Sequence, residues 1–253
     1  MKRIVIKVGS HVLTENNSLA KDRLLALVDF LAELHSKDKE IILVSSGAVA
    51  AGYTKIKLDK SKVEQKQALA AVGQPYLLRE YQKAFDKYDI LTSQVLLTAD
   101  DFDSRKRTKY AKCAIEAMLE NKILPIVNEN DVTATDELVF GDNDRLSAHV
   151  TYYFDADMLV ILSDIDAYYT DDPRVNKDAK PRDIIYNLTK DELEQKSLPN
   201  NKFATGGIVT KLKAADFLIN RGKDMFLASG FDLKVAKEFL LNNNRVGGTL
   251  FKG

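Results

Sequence analysis

Short apolar runs alternate with longer segments of helical period along most of the chain. Residues 41–44 and 158–162 are continuously apolar, which indicates strands buried on both faces, and residues 4–8 form a similar run broken only by Lys7. Residues 22–35 and 207–220 instead repeat apolar side chains every three or four positions, the period of an amphipathic helix. This alternation predicts an α/β fold with a largely parallel central sheet covered by helices.

Weaker patterns extend the same alternation. They predict helices near 63–72, 76–88 and 110–119, and strands near 95–97, 123–127, 138–140, 226–228 and 249–251. Neither a proline- or glycine-rich linker nor an internal repeat divides the chain, so we expect a single domain over residues 1–253. The polar stretch from about 168 to 201 holds three of the five prolines and is predicted to be an excursion with a hairpin and a short helix.

Composition narrows the function classes. The 253 residues carry 37 Lys and Arg against 37 Asp and Glu, which disfavours a nucleic-acid binder that relies on a basic face. A single cysteine excludes an intramolecular disulfide and a multi-thiolate zinc site. No apolar run reaches the roughly 20 residues of a membrane span, and Lys7 interrupts the first run too early for a signal peptide. We therefore expect a cytoplasmic protein without nucleic-acid or membrane partners.

Small and polar residues follow four of the predicted strands. They occupy residues 7–10 (KVGS), 45–48 (SSGA), 128–131 (NEND) and 163–166 (SDID). Each segment alone is weak evidence, because turns are rich in Gly, Ser, Asn and Asp for backbone reasons. Ligands of open α/β sheets, however, bind beyond the carboxyl ends of the strands. Together the four segments predict a binding site at this edge of the sheet.

Two further segments offer candidates for charge recognition. Residues 205–211 (TGGIVTK) open a predicted helix whose free N–H groups attract anions, and Lys211 is placed to reach back towards a phosphate; a flexible helix start is the simpler alternative. Residues 141–144 (GDND) form either a turn with a helix cap or a site for an ammonium group, a magnesium ion or a lysine. The chain has no G-x-G-x-x-G motif, and Tyr53 stands where a phosphate-binding loop would need lysine.

In chain order, these motifs resemble the glutamate 5-kinases of the amino acid kinase superfamily. The resemblance covers essentially the whole chain, through segments 7–10, 45–52, 70–74, 127–131, 141–144, 205–211 and 247–249. It implies the amino acid kinase fold, a three-layer α-β-α sandwich. A substrate-side lobe would span about 1–155 and a nucleotide-side lobe about 156–253. It also implies the short form, without the C-terminal RNA-binding-like domain of many members.

The resemblance implies that ATP phosphorylates the side-chain carboxylate of L-glutamate to give L-glutamyl 5-phosphate, the first step of proline biosynthesis. A glutamate carboxyl has an ordinary pKa of about 4.3, so it is ionised at neutral pH and needs no general base. Lys7 and Lys211 match the two lysines that neutralise the transferred phosphoryl group, and Asp144 matches the acid that orients them. Mg²⁺ would accompany ATP, and no side chain is assigned to a metal.

By the same resemblance, Ser46, Asp131 and Asn143 match substrate-binding positions. An ionised Asp131 suits the α-ammonium of free glutamate, which N-acetylglutamate lacks. The matched nucleotide-binding positions are Lys7, Ser163, Asp164, Thr205, Gly206, Gly207, Ile208, Val209, Thr210 and Lys211. The family further implies feedback inhibition by L-proline and a homo-oligomer, either a dimer or a tetramer.

The sequence departs from the family pattern at His11, Ala167 and Ile208, where a small hydroxyl residue, a glycine and a methionine are usual. These departures lie at the predicted nucleotide and phosphate site. Two alternatives stay open. One is another superfamily kinase, acting on N-acetylglutamate, aspartate, carbamate or a nucleoside monophosphate. The other is a non-catalytic sensor of nucleotide or amino acid, which the paired lysines disfavour because a sensor has no need of two cations.

Overall fold

One eight-stranded sheet runs through the residues that the structure describes, which in this computed structural model are 1–134, 143–173, 175–194 and 207–253. Its strands are β1 (Arg3–Val8), β4 (Glu40–Ser45), β5 (Thr92–Leu97), β6 (Leu124–Glu129), β7 (Met158–Ser163), β8 (Ile184–Ile185), β9 (Asp224–Ser229) and β10 (Thr249–Phe251). A small hairpin pairs β2 (Thr14–Glu15) with β3 (Ser18–Leu19).

The helices follow the strands in alternation. They are α1 (Ser10–Leu13), α2 (Lys21–Ser36), α3 (Ala48–Tyr53), α4 (Val63–Phe85), α5 (Ala99–Phe102), α6 (Arg105–Glu120), α7 (Asp144–Tyr153), α8 (Lys190–Glu194), α9 (Gly207–Ile219) and α10 (Lys234–Asn242). A 3₁₀ turn, Asp86–Tyr88, extends α4. Within the described ranges, no helix is both long and apolar enough to span a bilayer.

The sheet order is β5-β6-β4-β1-β7-β9-β10-β8, and its pairings are parallel except where β10 meets β9. Helices cover both faces. The first face packs α2, α4 and α10 against one apolar cluster, and the second packs α6, α7 and α9 against another. This confirms the predicted three-layer α/β sandwich with a largely parallel sheet.

Side-chain alternation along β1 decides where Lys7 lies. Ile4, Ile6 and Val8 belong to the first apolar cluster, whereas Val5 belongs to the second, which contains α7 and α9. Because neighbouring residues of a strand point to opposite faces, Lys7 faces the same side as Val5. The lysine in the first apolar run is thus directed towards the helices that carry Asp144 and Lys211.

Most predicted elements are present, with shifted boundaries. The two helices expected near 63–72 and 76–88 are one helix, α4, with Pro75 inside it. A proline in a helix interior costs about 3 kcal/mol; here Gly73, Gln74 and Leu77 near it are buried, and their packing outweighs that cost. The excursion contains a bridge between Tyr169 and Pro181, strand β8 and helix α8. The strand expected at 138–140 lies outside the described residues.

Two glycines let α3 and α4 pack in close contact. A Cβ added to Gly73 would lie 1.8 Å from the carbonyl oxygen of Ala48, and one added to Gly52 would lie 1.9 Å from that of Leu69. Such separations are far below van der Waals contact, so a larger residue at either position would force the helices apart. The glycine of segment 70–74, one of the segments that carry the family resemblance, therefore has a packing function.

Gly73→Ala is expected to lower the free energy of unfolding by about 3 kcal/mol, the upper part of the range for overpacking. Alanine favours a helix by about 1 kcal/mol over glycine, so the clash has to exceed that gain. Urea unfolding followed by circular dichroism measures the change. Ala71→Ser adds one heavy atom at an exposed position of the same helix and should change stability by less than about 0.5 kcal/mol. An equal, small change in both variants would contradict the prediction.

Candidate active site

The carboxyl ends of the central strands meet at one edge of the sheet. Val8 pairs with Ser45 on one side and with Leu162 on the other. Val127, near the end of β6, lies beside Val44 of β4. Three of the polar segments that follow strands in the sequence, after β1, β4 and β7, are thereby neighbours, and the segment after β6 is next to them.

Lys7 and Lys211 meet on one carboxylate. Lys7 Nζ lies 2.7 Å from Asp144 Oδ1, and Lys211 Nζ lies 3.1 Å from Asp144 Oδ2. The three side chains are almost fully buried, with at most 5% of each exposed. A buried charge without a partner is strongly unfavourable, so separating these groups would cost free energy. The ion pairs therefore keep the three side chains in place. Residues separated by 204 positions thus share one acid.

The start of α9 contributes two more contacts to this cluster. Lys211 folds back along its helix, and its Nζ donates to the carbonyl of Gly207 at 2.9 Å. Thr210 Oγ1 donates to Asp144 Oδ2 at 2.9 Å. Lys211 therefore does reach back to the helix start. The preceding candidates Thr205 and Gly206 lie outside the described residues.

Asn143 occupies the N-cap position of α7, but its side chain makes no capping hydrogen bond. Its Nδ2 instead donates to Asn128 Oδ1 at 2.8 Å, and it lies 3.3 Å from both the Ser45 carbonyl and Ser46 Oγ. Asn143 and Ser46, predicted together as substrate-binding residues, are thus in contact. Gly141 and Asp142 of the same motif lie outside the described residues.

Asp131 follows β6 by two residues and is largely buried. Burial disfavours its charged form and raises the pKa of this carboxyl from 3.8 to about 7. A carboxyl whose pKa is raised by burial is a candidate functional group, because active sites use burial to shift pKa values. The backbone beside it is held by Gln67, whose Nε2 donates to the Val132 carbonyl at 2.9 Å.

The predicted nucleotide residues after β7 are differently exposed. Ser163 is buried, and its Oγ donates to Asp164 Oδ1 at 2.9 Å, whereas about half of the Asp164 side chain is exposed. Asp164 also lies 3.4 Å from His11 Nδ1, so the departure at His11 does adjoin this pair. Ile208 packs partly against the second apolar cluster, and Val209 is half-buried.

The other two histidines, the cysteine and Ala167 lie in different surroundings. His35 is half-exposed, and its Nε2 lies 3.2 Å from the Lys122 carbonyl oxygen, because the apolar stripe of α2 ends at Leu34. His149 sits among aromatic rings, and burial lowers its pKa to about 4. Cys113 is exposed, and Ala167 is buried.

Two polar side chains of α4 were not recognised as site residues from the sequence. Gln74 Oε1 accepts from Asn128 Nδ2 at 2.8 Å, and Tyr81 OH lies 2.8 Å from Ser45 Oγ. Both side chains are buried. A signal was available, since residues seven apart share a helix face and the neighbours of both on that face are apolar.

With this geometry in place, comparison with known proteins identifies the class. The profile described as "Amino acid kinase family" matches residues 2–229, and the chain belongs to that family. Among solved structures, carbamate kinase from Giardia lamblia bound to AMP-PNP superimposes with a TM-score of 0.68. The alignment covers 99% of this chain and 98% of that one at 15% identity. At this level of sequence identity, the structural similarity is evidence for a shared fold only.

Relatives of higher sequence identity show to which branch of the amino acid kinase family the chain is similar. Glutamate 5-kinase of Leishmania donovani is 55% identical over 251 residues, which are 99% of this chain and 95% of the relative. Glutamate 5-kinase of Wolinella succinogenes is 56% identical over 255 residues, covering 99% and 98%. Within the amino acid kinase family, the chain groups with the glutamate 5-kinases.

Proposed function

We propose that this chain is an ATP-dependent kinase that phosphorylates the side-chain carboxylate of L-glutamate to give L-glutamyl 5-phosphate. The observation that carries the phosphoryl transfer is the buried Lys7–Asp144–Lys211 cluster at the carboxyl edge of the sheet. The choice of glutamate is supported by the two glutamate 5-kinases that share more than half of its residues. An inactive sensor would have no use for two buried cations on one acid.

In the proposed reaction, an ionised oxygen of the glutamate side chain attacks the γ-phosphorus of ATP. A new bond joins that oxygen to phosphorus as the bond from phosphorus to the β,γ-bridging oxygen breaks, and ADP leaves with the electron pair. The acceptor carboxyl is already ionised at neutral pH, so no proton is transferred. The required catalysis is positioning and neutralisation of charge on the phosphoryl oxygens.

Lys7 and Lys211 are proposed to supply that neutralisation, and Asp144 to hold their ammonium groups in a fixed geometry. Preorganised cations in a water-poor site stabilise developing charge without reorganising during the reaction. The predicted nucleotide residues Ser163 and Asp164 lie at the neighbouring strand end. We propose that they contact the nucleoside part of ATP.

The contacts of the described residues are compatible with a magnesium ion that is bound by the phosphates of ATP. The two oxygens of Asp144 contact Lys7 and Lys211, so this carboxylate pairs with the lysines and is not assigned to the magnesium ion. Mg²⁺ commonly keeps several waters and binds through substrate phosphates. When bound, it would neutralise phosphate charge beside the two lysines.

Asp131 is proposed to pair with the α-ammonium of glutamate. Protonated Asp131 offers that ammonium no charge, so the glutamate KM should rise as the pH falls below about 7. Asp131→Asn does not titrate and should show a raised glutamate KM that is flat between roughly pH 6 and 8. Steady-state kinetics over this range measures it, and the ATP KM serves as the control. A pH-dependent KM that survives in the variant would remove Asp131 from this role.

The same pKa shift has a consequence for folding. Because the pKa of Asp131 is higher in the folded chain than its ordinary 3.8, protonation of Asp131 stabilises the fold at low pH. That contribution is lost as the pH rises from about 4 through about 7. Asp131→Asn lacks this loss, so it should gain stability relative to the parent chain at pH 8 but not at pH 4.

An acceptor panel tests the proposed function. Pure protein is incubated with MgATP and, separately, L-glutamate, N-acetylglutamate, aspartate, carbamate or a nucleoside monophosphate. Hydroxylamine traps acyl phosphates, and ADP release covers the products that the trap misses. Turnover with glutamate alone is expected. Turnover with N-acetylglutamate but not glutamate would overturn the assignment, and calorimetric binding of ATP and glutamate without ADP formation would favour a sensor.

The finer expectations of the sequence stay proposals. They are magnesium as the accompanying ion, feedback by L-proline, a homo-oligomer, a cytoplasmic location, and the division into substrate-side and nucleotide-side lobes. The magnesium ion, the feedback, the oligomer and the lobes are supported by the family resemblance, and the cytoplasmic location is supported by the composition of the sequence.

A further inference from the structure

A chain of amide hydrogen bonds leads to an open acceptor in the candidate substrate site. Asn143 is fully buried, and its Oδ1 meets no hydrogen-bond donor among the described residues. A buried acceptor without a donor costs roughly 1–3 kcal/mol, so its presence calls for an explanation. The side chain adjoins Ser46, and both were predicted to bind substrate.

Backbone groups fix which way the amides point. The Glu129 N–H donates to Asn128 Oδ1 at 2.9 Å, and a backbone N–H cannot act as an acceptor. The Ser45 carbonyl accepts from Asn143 Nδ2 at 3.3 Å, and a carbonyl cannot act as a donor. Asn128 Oδ1 also accepts from Asn143 Nδ2 at 2.8 Å. Rotating the Asn143 amide by half a turn would set its oxygen against two other acceptors.

Helix α4 contributes the residue at the far end of this hydrogen-bond chain. Gln74 Oε1 accepts from Asn128 Nδ2 at 2.8 Å, so the whole Asn128 amide is engaged. Gln74 adjoins Gly73, which is pressed against α3, and its position is therefore set by the helix contact. Gln74 itself is buried and lies one amide away from Asn143.

We infer that Gln74 and Asn128 are positioning residues that keep Asn143 Oδ1 turned towards the substrate as an acceptor for the α-ammonium of glutamate. The inference rests on the proposed function. An ammonium group carries three donors, and Asp131 alone leaves donors to be satisfied. Asn143 Oδ1 would accept a hydrogen bond from one of these donors, and the ammonium group would in turn supply the donor that this buried oxygen lacks. Gln74 and Asn128 act through Asn143.

Gln74→Met tests this, because methionine has a similar volume and cannot accept the Asn128 hydrogen bond. The glutamate KM is expected to rise about tenfold, the effect of weakening one hydrogen bond to a charged group. The inhibition constant of glutarate, a dicarboxylate of the same length without the ammonium group, should change little. The kcat and the ATP KM should stay close to their parent values.

A matched control separates this role from a general loss of structure. Gln82→Met makes the same change on the same helix, where Gln82 Oε1 accepts from Thr92 N at 3.0 Å, away from the amide chain. It should lower Tm without altering the glutamate KM. If Gln74→Met does not fold, Gln74→Asn withdraws the acceptor by one methylene and carries the same expectation.

A double-mutant comparison tests whether Gln74 affects glutamate binding through Asn143. Asn143→Leu should raise the glutamate KM by itself, and adding Gln74→Met should then raise it little further. Equal weakening of glutamate and glutarate by Gln74→Met, or an undiminished effect of Gln74→Met in the Asn143→Leu background, would overturn the inference. If the parent chain fails to phosphorylate glutamate, the proposed function fails instead, and the two failures are distinct.

Discussion

Asp144→Ala is expected to abolish nearly all activity and to destabilise the fold. The change leaves Lys7 and Lys211 buried beside each other without the acid that joins them. Removing one partner of a buried ion pair costs about 3–5 kcal/mol. In the folded fraction, kcat should fall by about 10³-fold or more, because both cations lose the geometry that phosphoryl transfer requires. Thermal unfolding and steady-state kinetics on the same preparation measure the two effects.

Glu40→Ala is the matched control for Asp144. Glu40 also joins two cations, Lys2 and Arg3, but at the opposite edge of the same sheet. Lys2 is mostly exposed, but Arg3 and Glu40 are only 13% and 19% exposed, so we expect a loss of about 1–3 kcal/mol and an unchanged kcat. If Asp144→Ala retained substantial kcat once folded, Asp144 would be a structural acid only. Asp144→Asn, which keeps the shape but not the charge, should also be almost inactive.

Lys211→Ala is expected to lower kcat by about 10²–10³-fold, the size of losing one preorganised charge-stabilising group. The glutamate KM should change far less, since this charge is needed chiefly in the transition state. Steady-state kinetics at saturating MgATP separates the two constants.

Lys213→Ala removes an exposed lysine from the same helix and should leave both constants near their parent values. An unchanged kcat in Lys211→Ala would exclude Lys211 from phosphoryl transfer. A raised glutamate KM with full kcat would assign it to binding instead.

Local patterns were sufficient for most of the architecture. The apolar runs that became β1, β4 and β7 are visible because burial on both faces demands continuous hydrophobicity, which depends on neighbouring residues only. The prediction of two helices on either side of Pro75 was wrong, because the tertiary packing of α4 offsets the local cost of a proline in a helix. Residues 205, 206, 141 and 142 lie outside the described ranges, so their predicted roles stay predictions.

The candidate site divides in the same way. Motif resemblance nominated Lys7, Asp144 and Lys211, and the sequence by itself determined that these charged side chains exist at strand and helix ends. Only the tertiary structure decided that both lysines contact opposite oxygens of one carboxylate. It likewise decided that burial raises the pKa of Asp131 and that Gln74 is joined to Asn143 through hydrogen bonds of Asn128. These properties depend on burial and on contacts between distant segments, which the order of strands in the sheet creates and local periodicity does not encode.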